Sequence, residues 1–353
     1  MKKRKMAILG AGNIAEQMAR TIRGMRNVQC YAVASRDLKK AEQFAKKFGF
    51  KKAYGSYEEL VRDEKVELIY VATPHSHHYA CAMLCLQHNK PVLCEKAFTV
   101  NAAQAQELIR VARERGVLLA EAIWTRYMPM VTMIRGILQS GIIGTPTSLT
   151  ANLGYQIEHV QRLTDPALAG GALLDVGVYT INFASMMFGD DIEKIDSSCL
   201  YTDTGVDASN SVTLHYKGGR MAVLCSTMRG VSDRKGIIYG SKGYVVVENI
   251  NNFEMVTAYS PDNKKLVQLK RPKQITGFEY QVQACLDAID QKAIECPQMP
   301  HAEIVKMLQI MDECRRQWGI SYPCEGIQIE TPKPEPAVIA AVEKALEEPA
   351  ENA

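Results

Sequence analysis

The chain reads Lys-Met-Ala-Ile-Leu-Gly-Ala-Gly-Asn-Ile-Ala over residues 5–15 and Val-Ala-Ser-Arg-Asp over residues 33–37. In the first stretch a short apolar run leads into a glycine turn. The segment after the turn is amphipathic, with Ile14, Met18 and Ile22 on one helical face, and a second apolar run follows it. This order of strand, turn, helix and strand predicts a βαβ nucleotide-binding unit.

Each residue of the glycine turn has a physical role in such a unit. Gly10 permits the tight turn, and Gly12 allows a pyrophosphate to approach the backbone at the helix N-terminus. Ala15 takes the place of the third glycine, where helix meets strand. We assign Asn13 and Ile14, which open the helix, to the same cofactor site.

The end of the second strand bears on which dinucleotide binds. Ser35 and Arg36 lie about 25 residues after Gly10, where an acidic residue would bind a free ribose 2′-hydroxyl. Serine and arginine suit a 2′-phosphate instead, so the sequence favours NADP(H) over NAD(H). NAD(H) stays possible, because Asp37 could reach the ribose from a polar turn.

Length and composition limit the class of protein. A chain of 353 residues is too long for one core, and we predict a dinucleotide-binding domain (1–122), a second domain (123–330) and a Pro-rich linker with a tail (331–353). The net charge of +3 makes nucleic acid an unexpected partner. We read no signal peptide and no membrane span, and ten cysteines without Cys-x-x-Cys pairs favour a reduced, cytoplasmic protein.

The pattern of segments changes along the chain. Up to about residue 122, short apolar runs alternate with amphipathic segments, which predicts a doubly wound parallel sheet. Beyond Gly144, alternating runs such as 211–216 and 220–228 are joined by glycine turns. The predicted fold class is therefore α/β, with an N-terminal Rossmann domain and a C-terminal α+β domain that carries a large, mainly antiparallel open sheet.

A loop rich in histidine follows one of the core strands. Thr73, Pro74, His75 and His78 stand where doubly wound sheets bind ligands, and we assign them to the cofactor site. Three histidines within four residues invite a metal assignment, but no carboxylate or second cysteine stands at ligand spacing. We therefore predict no metal.

A candidate proton-transfer group comes from two motifs. Glu95 and Lys96 end the next strand at the same sheet edge, beside an expected nicotinamide. Asp175 and Tyr179 lie four residues apart, on one face if helical. Hydride transfer between alcohol and ketone also moves a proton, and a tyrosine serves near neutral pH if a cation such as Lys96 favours its phenolate. Tyr179 could equally be a core helix residue.

These motifs in this order resemble the glucose-fructose oxidoreductase/inositol dehydrogenase (Gfo/Idh/MocA) family, and within it the dihydrodiol dehydrogenase subgroup. The resemblance covers about Met6 to Pro323 and is carried by residues 93–96, 121–126, 170–179, 204–207 and 240–243. Many relatives have proline where Ala97 stands and histidine where Tyr179 stands.

The resemblance implies an oxidoreductase acting on a secondary alcohol or ketone of a sugar, cyclitol or vicinal diol. It implies Lys96 and Tyr179 as the catalytic pair with Asp175 in support, Arg36 as the 2′-phosphate ligand, and a homodimer formed on the open sheet face. The residues that it implies for the substrate cleft are Trp124, Arg126, His159 and Phe278, the first two also beside the cofactor. Two alternatives are an NAD(H)-dependent sugar or inositol dehydrogenase and a non-catalytic dinucleotide sensor.

Overall fold

Two β-sheets organise the part of the chain that the computed structural model describes, residues 3–329. The predicted linker and tail at 331–353 lie outside the described residues. The first sheet has six parallel strands in the order β3-β2-β1-β4-β5-β6. They are β1 (Arg4–Leu9), β2 (Val28–Ala34), β3 (Lys52–Tyr54), β4 (Leu68–Val71), β5 (Val92–Glu95) and β6 (Leu119–Ala122).

Helices connect these strands and cover the sheet. They are α1 (Asn13–Gly24), α2 (Leu38–Phe48), α3 (Tyr57–Val61), α4 (His75–Gln87) and α5 (Ala102–Arg115). Local signals set their ends: the Asp37 carboxylate caps α2 and the Asn101 side chain caps α5. Gly49 and Gly116 end the same two helices in the left-handed conformation that glycine adopts without steric cost. This doubly wound architecture confirms the Rossmann prediction.

The second sheet has eight strands in the order β14-β13-β12-β11-β7-β10-β9-β8. They are β7 (Pro146–Gly154), β8 (Ile192–Tyr201), β9 (Asp207–Tyr216), β10 (Met221–Thr227), β11 (Gly236–Gly240), β12 (Gly243–Glu248), β13 (Met255–Tyr259) and β14 (Lys265–Lys270). Only β7 and β10 pair in parallel. The sheet is therefore mainly antiparallel, as the sequence predicts.

Helices lie against one face of this sheet. The helices of this half are α6 (Pro129–Gln139), α7 (Gln161–Thr164), α8 (Val178–Phe188), α9 (Glu279–Asp290) and α10 (His301–Trp318). Helix α8 packs on β7 and β10, and α10 packs on β8. A stretch of 23 residues through α8, Pro166–Phe188, is apolar enough to cross a membrane by length and composition, but 89% of its most apolar window is buried within the protein. It thus packs as a core helix.

The other face of the second sheet is open in the described residues. Val212, Leu214 and Tyr216 of β9 do not belong to this face, because all three are buried. Their neighbours in β9 point outward, as period-two alternation requires. The apolar side chains that the open face does expose include Met221 and Val223 of β10 and Tyr239 of β11.

Candidate active site

A cavity of about 480 Å³ lies between the carboxyl edge of the first sheet and residues 157–175, which precede α8. Doubly wound sheets bind ligands at this edge. Its walls combine the glycine turn, the loops after β4 and β5, and a segment just before α8. The lining residues are Gly12, Asn13, Ile14, Ala72, Thr73, Pro74, His75, Glu95, Lys96, Ile157, Val160, Arg162, Leu163 and Asp175.

The glycine turn leaves room for a pyrophosphate. Gly10 has φ of +108°, and a Cβ there would lie 2.6 Å from the Ala72 carbonyl oxygen, so no side chain fits. A Cβ at Gly12 would meet no atom of the described residues within 4 Å. That open space lies in front of the N-terminus of α1, where backbone N–H groups favour an anion. The residues present therefore fit a bound dinucleotide.

Arg36 is the available ligand at the end of β2. The Asp37 side chain accepts a hydrogen bond from the Lys40 N–H at 3.3 Å and thereby caps α2. Ser35 Oγ accepts one from the Asp37 N–H at 3.3 Å. Arg36 is exposed and makes no hydrogen bond to a described residue. The Asp37 carboxylate thus has a structural role, whereas the Arg36 guanidinium faces solvent.

Lys96 and Asp175 form a buried ion pair at the cavity wall. Lys96 Nζ lies 3.2 Å from Asp175 Oδ1 and donates to the Asp175 carbonyl oxygen at 2.7 Å. Arg162 also approaches Oδ1, at 3.4 Å. Burial alone would raise the pKa of Asp175, but the charges of Lys96 and Arg162 hold it well below its usual range. Asp175 is therefore an anion that positions two cations in the cavity.

Tyr179 lies beside this pair on α8. Asp175 falls in a π-helical turn, residues 173–177, that runs directly into α8, and the side chains of Asp175 and Tyr179 both approach Lys96. Lys96 Nζ lies 5.4 Å from the centroid of the Tyr179 ring, and Trp124 Nε1 donates to the Tyr179 hydroxyl at 3.1 Å. Trp124 in turn stacks on Phe278 with centroids 4.3 Å apart. Trp124 and Phe278 back Tyr179, and none of these three aromatic residues is among those that line the cavity.

The expectation that Lys96 lowers the pKa of Tyr179 was wrong. Burial and the negative charge of Glu95 raise the pKa of Tyr179 well above 10. The ammonium of Lys96 lies over the ring, bonded to Asp175, rather than at the phenol oxygen. Tyr179 thus keeps its proton near neutral pH, and because its oxygen accepts from Trp124, its own O–H remains a donor.

Glu95 is a buried acid next to this group. Its carboxylate accepts hydrogen bonds from the Tyr70 hydroxyl and from the Lys96 N–H, the latter at 3.1 Å. Burial raises the pKa of Glu95 to about 7, although the charge of Lys96 opposes the shift. Burial likewise raises the pKa of Glu121 on the next strand to about 7. Nothing in the sequence indicated these shifts, because they depend on enclosure by distant segments.

The three histidines have separate roles. His75 lines the cavity, its Nδ1 lies 3.0 Å from the Ala169 carbonyl oxygen, and burial lowers its pKa to about 3. His78 does not line the cavity: its ring lies between the carbonyl oxygens of Ala97 and Thr73, at 2.7 and 2.9 Å. His77 contacts Ser76 Oγ at 2.9 Å. No group of three or more His, Cys, Asp or Glu among residues 3–329 has metal-binding geometry.

Other predicted site residues also lie outside the cavity lining. Arg126 was predicted to contact the cofactor or substrate, but its guanidinium is buried against Asn182, Ser185 and Glu303, away from the cavity. His159 is exposed and does not line the cavity. Arg162, three residues further on, lines it and had not been predicted, since its position depends on the loop before α8.

The fold and this site define a nicotinamide-dinucleotide-dependent oxidoreductase, and comparison with known proteins identifies the family. Residues 4–122 match the oxidoreductase family with an NAD-binding Rossmann fold, and residues 131–246 match the GFO/IDH/MocA C-terminal domain. The chain belongs to the Gfo/Idh/MocA family. It is an NAD(P)-dependent oxidoreductase that acts on CH-OH groups.

Similar proteins carry related activities. Trans-1,2-dihydrobenzene-1,2-diol dehydrogenase of Xenopus tropicalis is 36% identical over 90% of this chain and 99% of its own length. The Homo sapiens protein of the same name is 37% identical over 84% of this chain and 90% of its own length. Among solved structures, the 3-ketoreductase KijD10 from Actinomadura kijaniata, in complex with NADP and TDP-benzene, has a TM-score of 0.82 at 25% identity, covering 89% of this chain and 98% of its own. An aldose-aldose oxidoreductase from Caulobacter crescentus shares the fold, with a TM-score of 0.81 at 20% identity over 90% and 98% of the two chains.

Proposed function

We propose that this protein uses NADP(H) to interconvert a secondary alcohol and a ketone of a sugar, cyclitol or vicinal diol, with Lys96 and Tyr179 handling the proton. The observation that carries the proposal is the contact of Lys96 with both Asp175 and the Tyr179 ring, beside a cavity that begins at the glycine turn. A dinucleotide sensor would not need such a group.

Each residue has a distinct role in this proposal. A bound nicotinamide supplies or accepts the hydride. The Lys96 ammonium, held by Asp175, donates a hydrogen bond to the substrate oxygen and stabilises negative charge that develops there. Tyr179, which keeps its proton, donates it to the carbonyl oxygen during reduction, and in oxidation its deprotonated form accepts the proton of the alcohol.

Arg36 supports the choice of NADP(H). Its exposed guanidinium offers a planar, permanently charged fork to a 2′-phosphate, and the competing carboxylate of Asp37 is occupied by capping α2. The NADP in the KijD10 complex is consistent with this choice. We assign NAD(H) the lower affinity.

The open face of the second sheet supports a homodimer. A sheet with helices on one side only must have a polar or a covered second face. Met221, Val223 and Tyr239 expose more than a third of their surfaces there. A second copy of this chain would cover them. All ten cysteines are free thiols, which supports a reducing, cytoplasmic location.

The test is an activity panel with the purified chain. Oxidation of NADPH is followed with anhydroketoses and aldoses, and reduction of NADP⁺ with inositols, aldoses and vicinal diols. We expect turnover with at least one member, and loss of turnover in Lys96→Met with dinucleotide binding retained. A chain that binds NADPH tightly yet turns over no substrate would favour the sensor, and tighter binding of NADH would contradict the assigned cofactor.

A further inference from the structure

A second cavity lies between α6, the C-terminal part of α8 and the start of α10. It measures about 440 Å³ and shares no lining residue with the cavity described above. We call it the Arg126 cavity. Its walls are Arg126, Tyr127, Met128, Pro129, Val131, Thr132, Arg135, Met186, Pro297, Gln298, Pro300 and Glu303. Small-molecule sites have volumes of this order, about 300 to 1,000 Å³.

Arg126 is held rigidly at the wall of this cavity. Its Nε donates to Asn182 at 2.5 Å, and one terminal nitrogen, Nη2, donates to Ser185 at 2.9 Å and Glu303 at 3.0 Å. The other terminal nitrogen, Nη1, has no hydrogen-bond partner in residues 3–329. It is not fully enclosed, so part of its surface is accessible. Only 4% of the side chain is exposed. Since Arg126 lines the cavity, that small exposed part faces into it.

A second guanidinium faces the same space. Arg135 on α6 uses its Nε to bond the Met186 carbonyl oxygen at 3.1 Å, and its two terminal nitrogens bind no residue within 3–329. Glu303 is the one carboxylate among the lining residues, against two arginines. Burial lowers the pKa of Arg126 and the charges of Glu303 and Glu121 raise it, while the nearby charge of Arg135 lowers it, so the two arginines repel each other. An anion placed between them would relieve this repulsion.

We propose that the Arg126 cavity binds a small oxyanion, a phosphate or carboxylate group, between Arg126 Nη1 and the terminal nitrogens of Arg135. Arginine suits these groups because its planar N–H donors match two oxygens at once. Gln298 and Thr132 also line the cavity and add polar atoms around the ligand. Because Arg126 is preorganised by three bonds, binding costs little further ordering of its side chain.

The experiment titrates inorganic phosphate and, separately, citrate into the full chain by isothermal titration calorimetry. Saturating NADP⁺ is present so that the helix N-terminus of the dinucleotide site is filled. Two variants alter the cavity without touching the Arg126 bonds. Arg135→Gln removes one exposed cation, and Thr132→Glu places a carboxylate in the cavity from an exposed position on α6. Arg26→Gln, a charge loss at an exposed arginine outside the cavity, is the matched control.

We expect one anion per chain with a Kd below about 1 mM for at least one of the two probes. Arg135→Gln should weaken binding about tenfold or more, since it removes a charge-assisted contact. Thr132→Glu should abolish binding, and Arg26→Gln should leave it unchanged. The preferred probe separates a phosphate site from a carboxylate site. Absence of binding by both probes up to about 10 mM, or binding that survives both cavity variants, would overturn the proposal.

Discussion

Lys96 Nζ is bonded twice to a single residue, to Asp175 Oδ1 at 3.2 Å and to the Asp175 carbonyl oxygen at 2.7 Å. The first bond carries charge on both sides, and the second does not depend on the Asp175 side chain at all. Because the backbone bond survives a side-chain change, the two contributions can be separated by mutation. The ammonium would stay at the cavity wall while its counter-charge is removed.

Asp175→Asn should therefore lower kcat about 10- to 100-fold, the effect of losing a charge-assisted bond worth roughly 1.5 to 3 kcal/mol. The KM for the dinucleotide should change little. Arg162→Gln is the comparison, because Arg162 is the other cation on Asp175 and is half-exposed, so its loss should cost less. Steady-state kinetics of both variants decide the matter. A larger loss in Arg162→Gln than in Asp175→Asn would contradict the role given to the Lys96–Asp175 pair.

Tyr179→Phe removes one hydroxyl and leaves the ring between Lys96 and Trp124. If Tyr179 donates the proton, turnover should fall about 10²-fold or more, the usual effect of losing a general acid. NADPH affinity should be almost unchanged. His77→Asn is the control, because His77 is the half-buried histidine of the same sheet edge. A Tyr179→Phe enzyme within about threefold of wild type, beside an inactive His77→Asn enzyme, would reassign the proton to the histidine.

Arg36→Ala should weaken NADPH binding about 10- to 100-fold and leave NADH binding nearly as it is, since only NADPH carries the 2′-phosphate. Fluorescence titration of both dinucleotides measures the change. Asp37→Ala is the matched control: it removes the cap of α2 and should cost about 1 kcal/mol of stability without altering the preference. Equal affinities of wild type for the two dinucleotides would refute this assignment.

If the protein is a homodimer, light scattering should give a mass twice that of one chain, which is 39.2 kDa. Val223→Lys places a charge in the middle strands of the open face and should shift the mass toward that of a monomer, because an unpaired buried charge is costly. Leu38→Lys, at an exposed apolar residue of the first domain, should leave the mass unchanged. A monomeric wild type at micromolar concentration would count against the dimer.

The elements of the first sheet were predictable because local signals determine them. Helix α2, for example, begins after Asp37 and ends before Gly49, and both of these signals stand in the sequence itself. The direction of Arg126 was not predictable. Arg126 follows Trp124 by two residues in a 3₁₀ helix, which has about three residues per turn, so the two side chains point to different sides. The partner of Arg126, Glu303, is 177 residues away in the sequence.

The burial of Glu95 leads to a prediction about stability and pH. Its folded-state pKa is about 7, above the ordinary value of 4.5, because burial disfavours the carboxylate. Between pH 4.5 and 7 the folded protein holds a proton that the unfolded chain has released. Stability must therefore fall as pH rises through this window, and the stabilisation is fully lost above pH 7.

Glu95→Gln should remove that part of the pH dependence. A glutamine can accept from the Lys96 N–H with its oxygen and donate to the Tyr70 hydroxyl with its nitrogen, so both contacts survive. The variant should match wild type near pH 5 and exceed its free energy of unfolding at pH 8, by an amount on the order of 3 kcal/mol at most. Urea unfolding at pH 5, 6, 7 and 8 measures this, with the exposed Glu42→Gln as control. Parallel curves for wild type and Glu95→Gln would mean that Glu95 is already ionised in the folded protein at pH 5, and that Tyr70 and Lys96 compensate its burial in full.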